Sequence, residues 1–513
     1  MRIFVGLLAA LFWGASFVKA EDWRVYETRN FVVYSEESAK KTQAVAHELE
    51  QYRTYLVKAL NIKIDMPDQL PLTVYMLKGW GRYSDVTGLD GTAGVFSKTP
   101  EGPIAVFYSQ QRFYRYGQRS KQVMMHEYVH HVMRQQSTPA FYPNWYSEGM
   151  AEFLSTYFVR NNQAVLGDVL EVRLRGLRRK QYWFDMKTLL EMQSIWKKGY
   201  SQSRRSAFYS QAWLLTRMLF VDPRFRKGLA GFTADLSSGV PPEKALLDRF
   251  SISYEELDKK FYAHYKLMWR AYSDDAAVMQ VSMPLPKTRI ELMRKGLLSK
   301  TDGKLIEQMI TYYFQHSGWE HKKQKKRSQK AYKKTGDTRF KLIEISALKD
   351  AGAWDEAGSK VGQALTDHPN DPNIHMLAGQ YLIDRGRRET GMEEQPQALD
   401  EKAIQKARNH LKAVVEADDW NALARLYLAD TYLIGDQKFW DQAAPYIRDA
   451  YALYPQYFAI TRNYLDLLLH EEKYSMACQL LRPLYHLNST DEYRDDMQNR
   501  LNKIPDQKTA CPI

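Results

Sequence analysis

Hydrophobic and polar residues alternate over NFVVYSE (30–36), the period of a half-buried strand. The spacing then becomes helical from about 38 to 60, where Ala44, Leu49, Tyr52 and Leu56 recur on one face. Three further apolar runs, LTVYML (72–77), GTAGVFS (91–97) and PIAVFYS (103–109), are separated by glycine, proline and aspartate. They predict the strands of a small sheet. Ser120 can cap the next helix, with Val123, Val129, Val132 and Met133 toward the core. PAFYPN (139–144) reads as a loop and WYSEGMAEFLSTYF (145–158) as a second helix, and helical spacing continues through SAFYSQAWLLTRMLF (206–220) to about 285.

The last third repeats itself. Ala357, Ala364 and Pro369 have the same mutual offsets as Ala443, Ala450 and Pro455, with Val361 and Ile447 matching inside them. Ala407 with Leu411, and Ala477 with Leu481, are weaker copies, and Ala443 to Ala477 is a step of 34 residues. That is the tetratricopeptide period, in which small residues let paired helices approach and a proline closes the second helix. An insertion is expected around 387–401, and an unrelated all-helical domain is the alternative. The chain therefore reads as an α+β domain followed by an all-α repeat domain that would present a groove to a protein partner.

The ends and the charge add a location. Residues 1–20 carry Arg2, an apolar stretch from Ile3 to Val18, and Val18-Lys19-Ala20 before a cut at Glu21. This reads as a cleaved signal peptide for export. An uncleaved anchor is the alternative, although the stretch is shorter than the ~20 residues that cross a bilayer, and no later segment predicts a membrane span. Loss of Arg2 and Lys19 lowers the formal charge from +13 to +11. In an exported chain that balance favours anionic envelope surfaces or acidic substrates over nucleic acid, unless it serves solubility alone. The basic run HKKQKKRSQKAYKK (321–334) reads as a solvated helix or linker, or else as a polyanion-binding patch. Cys478 and Cys511 could bridge or remain free thiols, and both lie far from the one chemical motif.

That motif is HEYVHH (126–131). His126 and His130, four apart on a helix, can share one metal ion, and Glu127 is placed to deprotonate a water. Hydrolytic zinc takes three protein ligands and leaves one position open. Glu148, 18 residues after His130 and in the first turns of the next helix, is the best third ligand. His131, about 100° around an ideal helix from His130, and His47, on a distant segment, read as surface or supporting histidines.

HEYVHH followed by PNWYSEGMAEF closely resembles the gluzincin metallopeptidases, in particular the peptidase MA-like proteins, over roughly residues 23–275. The resemblance implies Zn2+ on His126, His130 and Glu148, Glu127 as general base, and Glu152 as the acid that orients a zinc histidine, where a solvent-facing glutamate is the other reading. FYSQAWLLTRM resembles the helix that carries an oxyanion-stabilising tyrosine, which implies that role for Tyr209, with Tyr200 in reserve and packing as the alternative. Aminopeptidases of this clan hold the substrate amine with a glutamate on the strand before the zinc helix. TAGVFS (92–97) has none, which points to an endopeptidase that pairs that strand with an extended peptide.

The expected organisation is a signal peptide (1–20), a zinc metallopeptidase-like domain (21–285), a helical, basic linker (286–338), tetratricopeptide-like repeats (339–505) and a tail (506–513). The signal and the resemblance together imply the bacterial periplasm, and the expected function is hydrolysis of peptide bonds by this secreted enzyme, with the repeats recruiting partners or substrate. Competing readings are an envelope assembly factor whose zinc domain is structural or inactive, and hydrolysis of another amide such as a cell-wall crosslink.

Overall fold

The computed structural model describes residues 22–59, 69–90, 92, 94–109, 120–133, 135, 142–192, 195, 199–238, 240–274, 279–315, 318–389, 399–434, 438–487, 491–505 and 511. The signal peptide expected at 1–20 and most of the insertion expected at 387–401 lie outside them. The chain is mixed α/β, and among the described residues it has two small sheets and many helices.

Strands β1 (Arg24–Thr28), β2 (Phe31–Ser35), β3 (Leu72–Leu77), β4 (Gly94–Thr99), β5 (Gly102–Tyr108) and β9 (Leu292–Leu297) form one sheet in the order β4-β5-β3-β2-β1-β9. β2, β3 and β5 run parallel, and the outer pairings are antiparallel. Strand periodicity sends Leu72, Val74 and Met76 to one face and Tyr75 and Leu77 to the other, and both faces are buried. The first face is covered by α1 (Ala39–Ala59) and by α3 (Ser120–Met133), and the second by α2 (Trp80–Thr87) and α11 (Lys300–Phe314). In α1 the buried stripe runs through Ala46, Leu49, Tyr52 and Leu56, while Ala44 is exposed.

Helix α4 (Asn144–Leu154) follows α3. It stops at Leu154 instead of reaching Phe158, because β6 (Phe158–Arg160) begins a second antiparallel sheet with β7 (Gln163–Leu166) and β8 (Val281–Pro284). Between β7 and β8 come α5 (Glu171–Gly176), α6 (Met186–Glu191), α7 (Gln202–Val221), α8 (Pro223–Ser237), α9 (Pro242–Phe250) and α10 (Tyr254–Ser273). Ser253 and Glu256 form a capping box at the start of α10.

The expected helical linker at 286–338 is corrected. β9 falls inside it and pairs with β1, and α11 closes the outer face of the first sheet, with Gly303 set against the Trp23 ring where a Cβ would collide. Pairing between β1 and β9 joins residues some 270 apart, for which local periodicity carries no signal.

Successive helices from α12 (Gly318–Thr335) onward each pack on the next: α13 (Arg339–Asp350), α14 (Trp354–Asp367), α15 (Pro372–Glu389), α16 (Glu401–Ala417), α17 (Ala422–Leu433), α18 (Trp440–Leu453), α19 (Phe458–His470), α20 (Tyr474–Leu487) and α21 (Asp491–Leu501). The recurring alanines 357, 364, 407, 443, 450 and 477 are all buried, and Pro369 and Pro455 lie just beyond α14 and α18. Cys478 and Cys511 are joined by a disulfide, so the tail is tied to α20. The helical array also touches the first domain: Leu70 N donates to Leu453 O at 2.8 Å and Gln456 Nε2 to Gln69 Oε1 at 3.1 Å. Among the described residues, no helix is long and apolar enough to cross a membrane.

Candidate metal centre

Helical geometry puts residues four apart on one face. On α3 it aims His126 and His130 at the same point, with ring centroids 5.0 Å apart. The core side of α3 is made by Met124, Met125, Tyr128, Val129, Val132 and Met133. Val123, expected in the core, instead lines the cleft. Helix α4 crosses α3, and Glu148 Oε2 stands 3.4 Å from His126 Nε2 and 3.4 Å from His130 Nε2. The neighbouring Gly149 seats α4 closely on α7. A Cβ there would run into Thr216 Oγ1 and the Ala212 carbonyl of α7, so only glycine lets these two helices come this close.

One ligand atom each from His126, His130 and Glu148 lies within 4.8 Å of the others, so the group could hold a metal ion. For a tetrahedral ion with bonds of ~2.0–2.1 Å, neighbouring ligand atoms stand ~3.3 Å apart, which the two 3.4 Å separations match. Two imidazoles and a carboxylate are also a donor set that suits zinc. The residues present therefore fit the group.

Supporting contacts orient the ligands. His126 Nδ1 faces Glu152 Oε1 at 3.5 Å, and His130 Nδ1 is 3.1 Å from Ser147 Oγ. Glu152 is only 2% exposed, which removes the solvent-facing reading. Its carboxylate also pairs with Arg173 of α5, whose guanidinium lies 5.3 Å over the Tyr209 ring. Glu127 and Tyr209 line the same cleft of about 640 Å³, together with Phe96, Ser97 and Lys98 of β4.

The electrostatics follow from this crowding of carboxylates. Burial opposes a charge on His126, yet Glu152, Glu148 and Glu127 outweigh it and push the imidazole up to about 9. Burial also acts against Glu148, but His130 and His126 hold it well below the usual carboxylate range. Tyr209 is pushed up by burial and then by Glu148, so it keeps its proton and can donate it in a hydrogen bond.

The other residues singled out in the sequence lie elsewhere. Tyr200 packs edge-on against Phe184 and is not among the cleft-lining residues. His131 is not a surface residue: it is 2% exposed, stacks on Tyr128, and its Nε2 meets Gln135 Nε2 at 3.0 Å. His47 bonds the Tyr26 hydroxyl at 2.9 Å. The N-cap expected of Ser120 concerns a side chain outside those described. Sequence reasoning missed Arg173 and Ser147. Ser147 could have been found as the neighbour of Glu148 on a histidine-facing helix, whereas nothing in GDVLEVRLRG distinguishes Arg173.

No family model, no curated protein and no solved structure matches this chain.

Proposed function

We propose that the chain is a zinc-dependent endopeptidase, exported by its N-terminal signal, with the helical array recruiting partners or substrate as tetratricopeptide-like repeats do. The observation that carries this reading is the convergence of His126, His130 and Glu148 on one point, beside Glu127, in a cleft bordered by an edge strand.

Strand β4 ends the first sheet, and Phe96 to Lys98 form one wall of the cleft. An extended peptide hydrogen-bonded to that edge would run across the ligand cluster. A bound zinc would supply Lewis acidity toward a water and the scissile carbonyl. Glu127 takes the proton from the attacking water and passes it to the leaving nitrogen. Tyr209, kept protonated, donates to the developing oxyanion, an interaction that contributes ~3 kcal/mol in other enzymes. Arg173 fixes Glu152 and so the ring of His126, and Ser147 fixes His130.

The direct test is elemental analysis of the purified chain combined with cleavage of an unfolded protein. One zinc per chain, loss of cleavage on chelation and recovery on adding zinc support the reading. A chain that takes up no zinc, or that cleaves equally after chelation, contradicts it.

A further inference from the structure

Helix α12 carries eight cations between 322 and 334. Its inner face is fixed: Gln324, Ser328 and Ala331 are fully buried, and Ser328 Oγ donates to Gln308 Oε1 of α11 at 2.8 Å. This orientation divides the cations in two. Lys323 pairs with Glu320 at 3.3 Å and Lys325 with Glu356 at 2.5 Å, while Glu344 takes Gln329 and Lys360. The nearby carboxylates are thus already engaged.

The other six, Lys322, Lys326, Arg327, Lys330, Lys333 and Lys334, are exposed, and none is in an ion pair among the described residues. At ~100° and ~1.5 Å per residue they fill an arc of about 140° over an axial length of about 18 Å. Surfaces that serve only solubility intersperse both signs. A one-sign stripe, held rigidly while its neighbouring acids are neutralised by other lysines, has the charge complementarity for a flat anionic surface.

We propose that this face of α12 docks the protein on an anionic phospholipid bilayer. Each cation near such a surface strengthens binding by about fivefold. The stripe carries no apolar side chain to insert, since Tyr332 is turned to His368 and Ala331 is buried. Docking is therefore electrostatic and reversible by salt. It also carries no ring or amide that could stack on or pair with bases, which separates it from a nucleic-acid site. The proposal needs no metal and stands apart from the peptidase reading.

The test is co-sedimentation of the full chain with phosphatidylcholine vesicles, with and without phosphatidylglycerol, at low and high salt. Binding is expected only with phosphatidylglycerol and only at low salt. The variant K326Q/R327Q/K330Q/K333Q should lose about 100-fold or more in affinity. The equally charged control K227Q/K259Q/K402Q/K406Q, altered at exposed lysines elsewhere, should stay within about fivefold of wild type. Circular dichroism checks that both fold, and K322Q/K334Q, with an expected loss of about 25-fold, serves if the quadruple variant does not. Glu127→Gln should bind vesicles as wild type does, which separates this outcome from any failure of the peptidase reading. Equal losses in stripe and control variants, no binding to phosphatidylglycerol, or retention of duplex DNA with vesicles left unbound would each overturn the proposal.

Discussion

Two charged clusters in this molecule look alike by composition and differ in balance. In the helical array, Arg500 grips both oxygens of Asp466 at 2.8 and 2.9 Å and also pairs with Asp496, while Asp430 takes Arg387 and the Asn463 amide. Two arginines serve these three acids, and Lys438, Arg462 and Lys503 line the same pocket, so cations match acids there. In the cleft between α3 and α4, Glu127, Glu148 and Glu152 are joined by two cations, Arg173, which pairs with Glu152, and Lys98 on the β4 wall. The carboxylates outweigh burial and push the His126 imidazole up to about 9. Where cations match acids the cluster holds helices together, and where acids exceed them the group could hold a metal ion.

Removing a ligand should separate the two clusters most sharply. Glu148→Ala is expected to weaken zinc binding by more than the ~100-fold that supporting residues cost, with little change in the melting temperature of the array. Calorimetric zinc titration measures it, and an unchanged affinity would remove Glu148 from the site.

A second contrast lies within the first domain. Whereas carboxylates push His126 up, burial and then Arg217 push His264 down to about 4, and its Nε2 faces Arg217 Nη1 at 3.2 Å. Its folded value lies below the ordinary ~6.5, so its stabilising effect is complete above pH ~6.5 and is lost as pH falls toward ~4. The loss amounts to ~2–3 kcal/mol. Denaturant melts across this window should show that acid limb, and His264→Gln should flatten it.

Next in size comes Glu152→Gln, which leaves the three ligands in place but loosens His126. Zinc affinity should fall by ~10–100-fold. If affinity holds, Glu152 only packs the core. The smallest effect is expected from Asp466→Asn in the self-neutral cluster: a loss of ~1–2 kcal/mol in the stability of the array, read by urea denaturation, with zinc affinity unchanged. A change in zinc affinity there would mean that the two clusters are coupled.

What could be read in the sequence was what local spacing controls. His126 and His130 follow from the helical period, and Glu148 and Glu152 lie four apart on the next helix. The recurring alanines were legible for the same reason, because packing two helices demands small residues at a fixed step. Arg173 was not legible, since α5 is brought to Glu152 by packing against α7 and not by any pattern of its own. Strand β9 was hidden because its partner β1 lies at the other end of the domain. Val123 was misassigned because the first turn of α3 overhangs the cleft, where an apolar residue meets open space instead of core.

The central claim is that the unbalanced cluster is a catalytic metal site and not a structural one. Glu127 is the residue that tells the two apart, because it lines the cleft and is not one of the three residues that could hold the metal. The measurement is the rate of cleavage of an unfolded protein by wild type and by Glu127→Gln, with zinc content determined in the same samples. The account predicts equal zinc content and a rate ~100- to 10,000-fold lower in the variant. Equal rates at equal zinc content would contradict it.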